Sequence, residues 1–95
     1  MIFRVVLLPL AEFEIFEAVE YYETEKRGLG FEFLDELEEA KKSLSENPQY
    51  YSYISLEQTL RRFLLNRFPY KLIYEIQDDQ VIIYAVRHGR QKPLE

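Results

Sequence analysis

The sequence predicts an α+β domain with the element order β-α-α-β-β-β, in which one antiparallel sheet is covered on one face by a two-helix hairpin. Two stretches of the first half repeat their apolar residues at helical spacing and are separated only by Gly28-Leu29-Gly30. From Arg61 onward the pattern changes to strand-like alternation. With 95 residues the chain has room for one hydrophobic core, so both halves must share it, and 1–95 is read as a single domain.

The first element is Ile2 to Leu8, an apolar and β-branched run interrupted only by Arg4 and ended by Pro9. It reads as a strand with both faces at least partly covered. Pro9 then suits the first turn of a helix. Ala11, Ile15, Ala18, Val19 and Tyr22 fall on one side of that helix, and Glu14, Glu17 and Glu20 on the other. Lys26 and Arg27 favour a helix C-terminus, and Gly28 supplies a left-handed residue that stops the helix. Phe33, Leu37, Ala40 and Leu44 form the stripe of a second helix, closed by Asn47-Pro48 because proline disfavours a helical conformation in the residue before it. The short link makes the two helices an antiparallel hairpin whose stripes need one common partner surface.

The second half provides that surface. Gln49 to Leu56 carries three tyrosines and reads as either a short strand or an irregular crossing. Arg61 to Phe68, Tyr70 to Gln77 and Gln80 to His88 are three strands, the last two joined by a tight turn at Asp78-Asp79. Tyr70, Leu72, Tyr74 and Ile76 share the face that meets the helices. Val81 to Val86 is apolar on both sides, which makes the last strand central in the sheet.

Composition narrows the function. A hydrophobic share of 47% is too high for a disordered chain, and no uncharged apolar run approaches the roughly 18 residues of a membrane helix. The opening residues lack a basic leader and a cleavage site, so they read as structure, and the expected location is the cytoplasm. The absence of cysteine removes disulfides, thiolate metal sites and cysteine nucleophiles. His88 has no partner at ligand spacing, so no metal and no cofactor is expected. Gly28 and Gly30 lack the preceding strand and following Lys-Ser/Thr of a phosphate loop. Glu12, Glu14, Glu17 and Glu20 read as a solvated helix face.

The formal charge of −5 conceals an asymmetry. Residues 1–60 hold 13 acidic against 5 basic side chains, a net of −8, whereas residues 61–95 hold 4 against 7, a net of +3. If Phe63 and Leu65 pack toward the helices, Arg62 stands on the open sheet face beside Lys71. Arg87, His88, Arg90 and Lys92 add donors where the last strand ends, including the only group that titrates near neutral pH. Cations on a sheet face hold phosphates, and a histidine there moves a proton. The alternative is that these are ordinary solubilising residues that discourage edge pairing.

The run Arg61-Arg62-Phe63-Leu64-Leu65-Asn66-Arg67-Phe68-Pro69-Tyr70-Lys71-Leu72-Ile73-Tyr74, followed by Asp78-Asp79 and Ile82-Ile83-Tyr84-Ala85-Val86-Arg87-His88-Gly89-Arg90, resembles the RelE/ParE toxin superfamily of bacterial type II toxin-antitoxin modules. Ala11, Tyr21-Tyr22, Gly28-Leu29-Gly30, Phe33 and Pro48 resemble its helical hairpin, so the likeness covers nearly the whole chain. One branch cleaves messenger RNA on the ribosome, and the ParE branch poisons DNA gyrase. For the RNase branch the resemblance implies Arg62, Lys71, His88 and Arg90 as candidate catalytic residues that bind or polarise the scissile phosphate.

The match to that branch is incomplete. Leu64 stands where RelE-like members carry a second lysine, Gln91 falls where they have a catalytic arginine, and the sequence ends at Glu95, before the position of their terminal tyrosine. The ending His88-Gly89-Arg90-Gln91-Lys92-Pro93 resembles the ParE type, although a basic or aromatic tail after that proline is missing. A pI near 4.9 also departs from the usual basic toxin. The resemblance therefore implies a ParE-like plasmid-stabilisation toxin that inhibits a protein such as DNA gyrase and is neutralised by a cognate antitoxin. The alternatives are a ribosome-dependent mRNA endoribonuclease, whose partners are the ribosome and mRNA, and an inactive member serving only as an interaction module.

Overall fold

Pro9 decides how the N-terminal half is laid out. It forces Leu8 into extended backbone (φ −80°, ψ 161°) and, having no N–H to lose, starts a helix directly. In the computed structural model, which describes residues 2–54 and 57–89, strand β1 (Arg4–Leu7) runs into helix α1 (Pro9–Glu25). Helix α2 (Leu29–Glu46), a short 3₁₀ turn (Pro48–Tyr50) and strands β2 (Arg61–Leu64), β3 (Tyr70–Gln77) and β4 (Gln80–His88) follow. The β-α-α-β-β-β order and the bounds of β3 and β4 agree with the sequence reading.

The hairpin turn is built around a carboxylate. Gly28 takes φ +88°, which glycine adopts without strain, and it has no side chain with which to cap α2. Glu23, from the last turns of α1, supplies the cap instead: its carboxylate accepts the N–H of Gly28 at 2.8 Å and of Gly30 at 2.9 Å. The two helices meet closely here. A Cβ on Gly30 would lie 2.9 Å from the Val19 carbonyl oxygen and 2.9 Å from Glu23 Oε1.

Below the turn, the expected stripes face the sheet. Phe33, Leu37, Ala40 and Leu44 of α2 and Ala11 and Ala18 of α1 are buried, with Ile15, Val19 and Tyr22 packed at the margin. Opposite them stand Leu72, Tyr74, Val81, Ile83 and Val86. Tyr74 is fully buried, and its hydroxyl donates to the Pro48 carbonyl oxygen at 2.7 Å, tying the sheet centre to the end of α2.

The strand order is β1-β4-β3-β2, with β4 central as expected. The wholly antiparallel sheet of the sequence reading is corrected: β2, β3 and β4 are antiparallel neighbours, but β1 lies parallel to β4. The cause is the hairpin. Its second helix returns the chain to the start of β1, where the Phe3 N–H donates to the Ser45 carbonyl oxygen at 2.7 Å. Strand β2 therefore leaves from the end at which β1 began, and two reversals later β4 runs in the direction of β1.

Strand β2 is shorter than expected, stopping at Leu64 instead of Phe68. Glu36 of α2 competes for the backbone: its carboxylate accepts the N–H of Asn66 and, at 3.1 Å, that of Arg67. Arg67 also pairs with Glu32 at 2.5 Å and holds that exposed carboxyl below its usual pKa. The loop turns inward and buries Leu65 and Phe68. The segment after α2 is an irregular crossing with a single bridge, Tyr53 to Arg61. Among its residues Ser55 and Leu56 lie outside the described part.

Two outcomes follow. Gly30→Ala gains the intrinsic helix preference of alanine yet forces the helices apart, so urea denaturation should show a net loss of about 1–3 kcal/mol; an unchanged midpoint contradicts the close approach. Burial raises the Tyr74 pKa above its ordinary 10.0, so the native state keeps a proton that the unfolded chain releases. Its contribution is complete below pH 10 and falls as pH rises toward the native value, by at most about 1.4 kcal/mol per pH unit. Tyr74→Phe should cost about 1 kcal/mol at pH 7 and flatten this alkaline loss, and equal alkaline slopes for the two proteins would refute the assignment.

Candidate functional site

Register decides which side chains reach the sheet face away from the helices. Phe63 pairs with Leu72 and Leu72 with Val86, all toward the core. The alternate positions therefore point the other way. There Arg62 stands opposite Ile73, Leu64 opposite Lys71, and Lys71 opposite Arg87. Arg62 and Lys71 are thus brought onto one face of adjacent strands, one exposed and one half-buried. Further along the same face the Tyr84 hydroxyl donates to Glu75 Oε1, an interaction that raises the tyrosine pKa because it favours the protonated hydroxyl.

His88 does not join them. Strict alternation from Val81 and Ile83 would carry it to the open face, but Tyr74 pairs with Ile83 while the adjacent Ile73 pairs with Ala85. Tyr84 is the extra residue of a bulge, and the parity of the strand changes there. Val86 turns to the core, and His88, opposite Tyr70, follows it. Its ring meets Tyr70 edge to face at 5.3 Å and lines a cleft with Glu14, Glu17 and Tyr21 of α1. Arg90, the fourth candidate, lies outside the described residues, as do Gln91, Lys92 and Pro93.

Two charged residues have roles that the sequence reading missed. Glu14, expected on a solvated helix face, is only 11% exposed. Strand β1 ends before β4 does, leaving the Val86 N–H without a ladder partner, and Glu14 Oε1 accepts it at 2.9 Å. The other carboxylate oxygen lies 3.5 Å from Arg87 Nε, so part of the cationic character of β4 is neutralised from α1. Arg61 faces away from Arg62: its guanidinium donates to the carbonyl oxygens of Gln49 at 3.0 Å and Tyr51 at 2.7 Å and to the Tyr53 hydroxyl at 2.6 Å. It is a clamp on the crossing segment. No residue spacing announces either contact: Glu14 lies 72 residues from Val86, and Arg61 reaches back 8 to 12 residues onto an irregular segment.

The open face can therefore hold an anion, with Arg62 and Lys71 as donors. Among the described residues no group of three or more His, Asp or Glu is placed to hold a metal ion, and no helix is long and apolar enough to cross a membrane.

A two-helix hairpin laid on one face of a four-stranded open sheet, with cations on the other face, defines a small α+β domain of the ParE-like class. Residues 5–93 match the family model described as ParE toxin of type II toxin-antitoxin system, parDE, and the chain belongs to this family. No curated protein sequence matches it. Among solved structures, a chain of a chromosomal ParDE TA system from P. aeruginosa superposes with a TM-score of 0.79 at 13% identity, covering 92% of this chain and 96% of that one. At that identity the likeness speaks for the fold.

The Glu14 contacts generate a stability prediction. Glu14→Ala leaves a strand N–H and a largely buried guanidinium without their partner and should cost about 2–4 kcal/mol in urea denaturation. Glu17→Ala, one turn on and exposed, should stay within about 0.5 kcal/mol. Equal small effects would return Glu14 to the solvated face.

Proposed function

We propose that the chain is the toxin component of a type II toxin-antitoxin module that binds and inhibits a protein target such as DNA gyrase, and that a cognate antitoxin neutralises it in the cytoplasm. The observation that carries this reading is the separation of the candidate residues by the sheet. Cleaving RNA requires a base for the ribose 2′-hydroxyl and cations for the developing phosphorane charge at one place. Arg62 and Lys71 stand on one face and His88 on the other. On the cationic face Glu75 is already engaged by Tyr84. Among the described residues these cations have no adjacent, free proton-transfer group, an arrangement that suits binding better than phosphodiester cleavage. Family membership supports the toxin role, and the solved neighbour, named for a ParDE system, supports an antitoxin partner.

Purified protein should block gyrase-catalysed supercoiling at micromolar concentration, and a partner antitoxin should reverse the block. No inhibition at that concentration counts against the gyrase target. Cleavage of ribosome-bound mRNA that Lys71→Ala abolishes would replace this reading by the RNase one. Absence of growth arrest on induced expression would leave the interaction module.

A further inference from the structure

The pairing of β3 with β4 sets two cations against each other. Lys71 and Arg87 are direct cross-strand partners on the face away from the helices, a position in which like charges repel. Arg62, on the next strand, adds a third positive charge to the same face. Yet the Arg87 side chain is only 19% exposed, because it turns around the edge of β4 toward α1 and brings Nε to 3.5 Å from Glu14 Oε2. That edge is accessible from α1 because β1 pairs with β4 only as far as Ile83.

The two ends of this contact are held unequally. Glu14 is anchored: its Oε1 accepts the Val86 N–H at 2.9 Å, a bond in which Arg87 has no part. The Arg87 Nε lacks such an anchor, since it is buried and makes no hydrogen bond to the described residues. The ion pair therefore returns little of what desolvating the guanidinium costs. A contact of this kind sits near balance, and rotation about the Arg87 side-chain bonds is enough to break it without any change of backbone. The competing position is on the open face beside Lys71. It becomes favourable when an anion is there to offset the repulsion and to accept from both side chains.

We propose that Glu14 and Arg87 form an autoinhibitory switch for the cationic face. With Arg87 held at the strand edge, the face offers Arg62 and Lys71. When an oxyanion binds, Arg87 leaves Glu14, swings out beside Lys71 and completes a site of three cations. The apparent affinity then scales with the fraction of molecules in which Arg87 is turned out, and Glu14 sets that fraction. Glu14 is thereby a positioning residue that acts through Arg87 and touches no ligand. The switch rests on the open face as a binding surface but not on which target the toxin meets, which the supercoiling assay reads separately.

The probe is inorganic pyrophosphate, titrated at fixed ionic strength and followed by the amide shifts of the full chain. Glu14→Gln keeps an oxygen for the Val86 N–H and removes the charge that holds Arg87. It should bind pyrophosphate about tenfold more tightly than the unaltered chain, with shifts centred on Arg62, Lys71 and Arg87. Two controls separate the switch from a general loss of negative charge. Glu17→Gln makes the same change of net charge on the same helix and should alter the affinity by less than about twofold. In an Arg87→Gln background, Glu14→Gln should bring no gain. A measurement on the unaltered chain keeps the test independent of how the variants fold: saturation with pyrophosphate should abolish the nuclear Overhauser contact between the Arg87 Nε proton and the Glu14 side chain. Persistence of that contact at saturation overturns the proposal. So do an unchanged affinity in Glu14→Gln, a gain that Glu17→Gln or the Arg87→Gln background reproduces, and pyrophosphate that shifts none of Arg62, Lys71 and Arg87.

Discussion

Four aromatic rings hold the hairpin to the sheet. Tyr22 of α1, Phe33 of α2, Phe68 of the β2–β3 loop and Tyr70 of β3 converge with centroid separations of 4.8 Å (Tyr22–Phe68), 5.2 Å (Phe33–Phe68 and Phe33–Tyr70) and 6.0 Å (Tyr22–Tyr70). Most of these contacts are edge to face, the arrangement favoured by ring quadrupoles. One element from each part of the chain contributes a ring, so the junction fixes the helices and the sheet relative to one another. It also fixes parity. With Tyr70 turned inward, Lys71 is outward, and the pairing of β2 with β3 carries Arg62 to the same side. The cationic face is a consequence of where four aromatic rings had to go.

The acidity of the hairpin has a second, structural meaning. Glu23, Glu36 and Glu14 each accept at least one backbone N–H that no ladder or helix satisfies: at the start of α2, in the β2–β3 loop, and on β4 past the end of β1. A carboxylate accepts several such bonds at once, and bonds to a charged acceptor are about twice as strong as neutral ones. Short elements leave many unpaired N–H groups, and this chain meets them with helix glutamates. Part of the excess of acidic residues in the first 60 positions is therefore a property of the fold and says nothing about whether the domain binds an anionic partner on its other face.

Local periodicity made most of the fold legible. Both helices, the left-handed Gly28, the limits of β3 and β4 and the central place of β4 follow from spacing, proline and glycine alone. What escaped was set by contacts between distant segments. The parallel direction of β1 depends on where α2 delivers the chain, and the early end of β2 depends on Glu36, thirty residues before it. The candidate site was half legible for the same reason. Arg62 and Lys71 follow from alternation on strands without irregularity between them, whereas the bulge at Tyr84 inverts the count just before His88. Val81 to Val86 is apolar on both faces, so no charged residue around the bulge reveals the inversion.

That inversion separates the two sides of the molecule chemically. Arg62 and Lys71 face outward from the sheet, and the phenylalanines and glutamates of α1 face outward from the hairpin, with the core between them. A ligand on one side influences binding on the other only to the extent that it distinguishes two arrangements of what lies between. Here the intervening material is close-packed, with Tyr74, Leu72, Ile83 and Phe33 fully buried, and such a core is stiff and passes strain between packed side chains. The cleft beside α1 borders it. It joins Tyr21 and Glu17 to His88 and Tyr70, and Tyr70 belongs both to the aromatic junction and to the strand that carries Lys71. A packed route between the helix side and the sheet side therefore runs through that tyrosine.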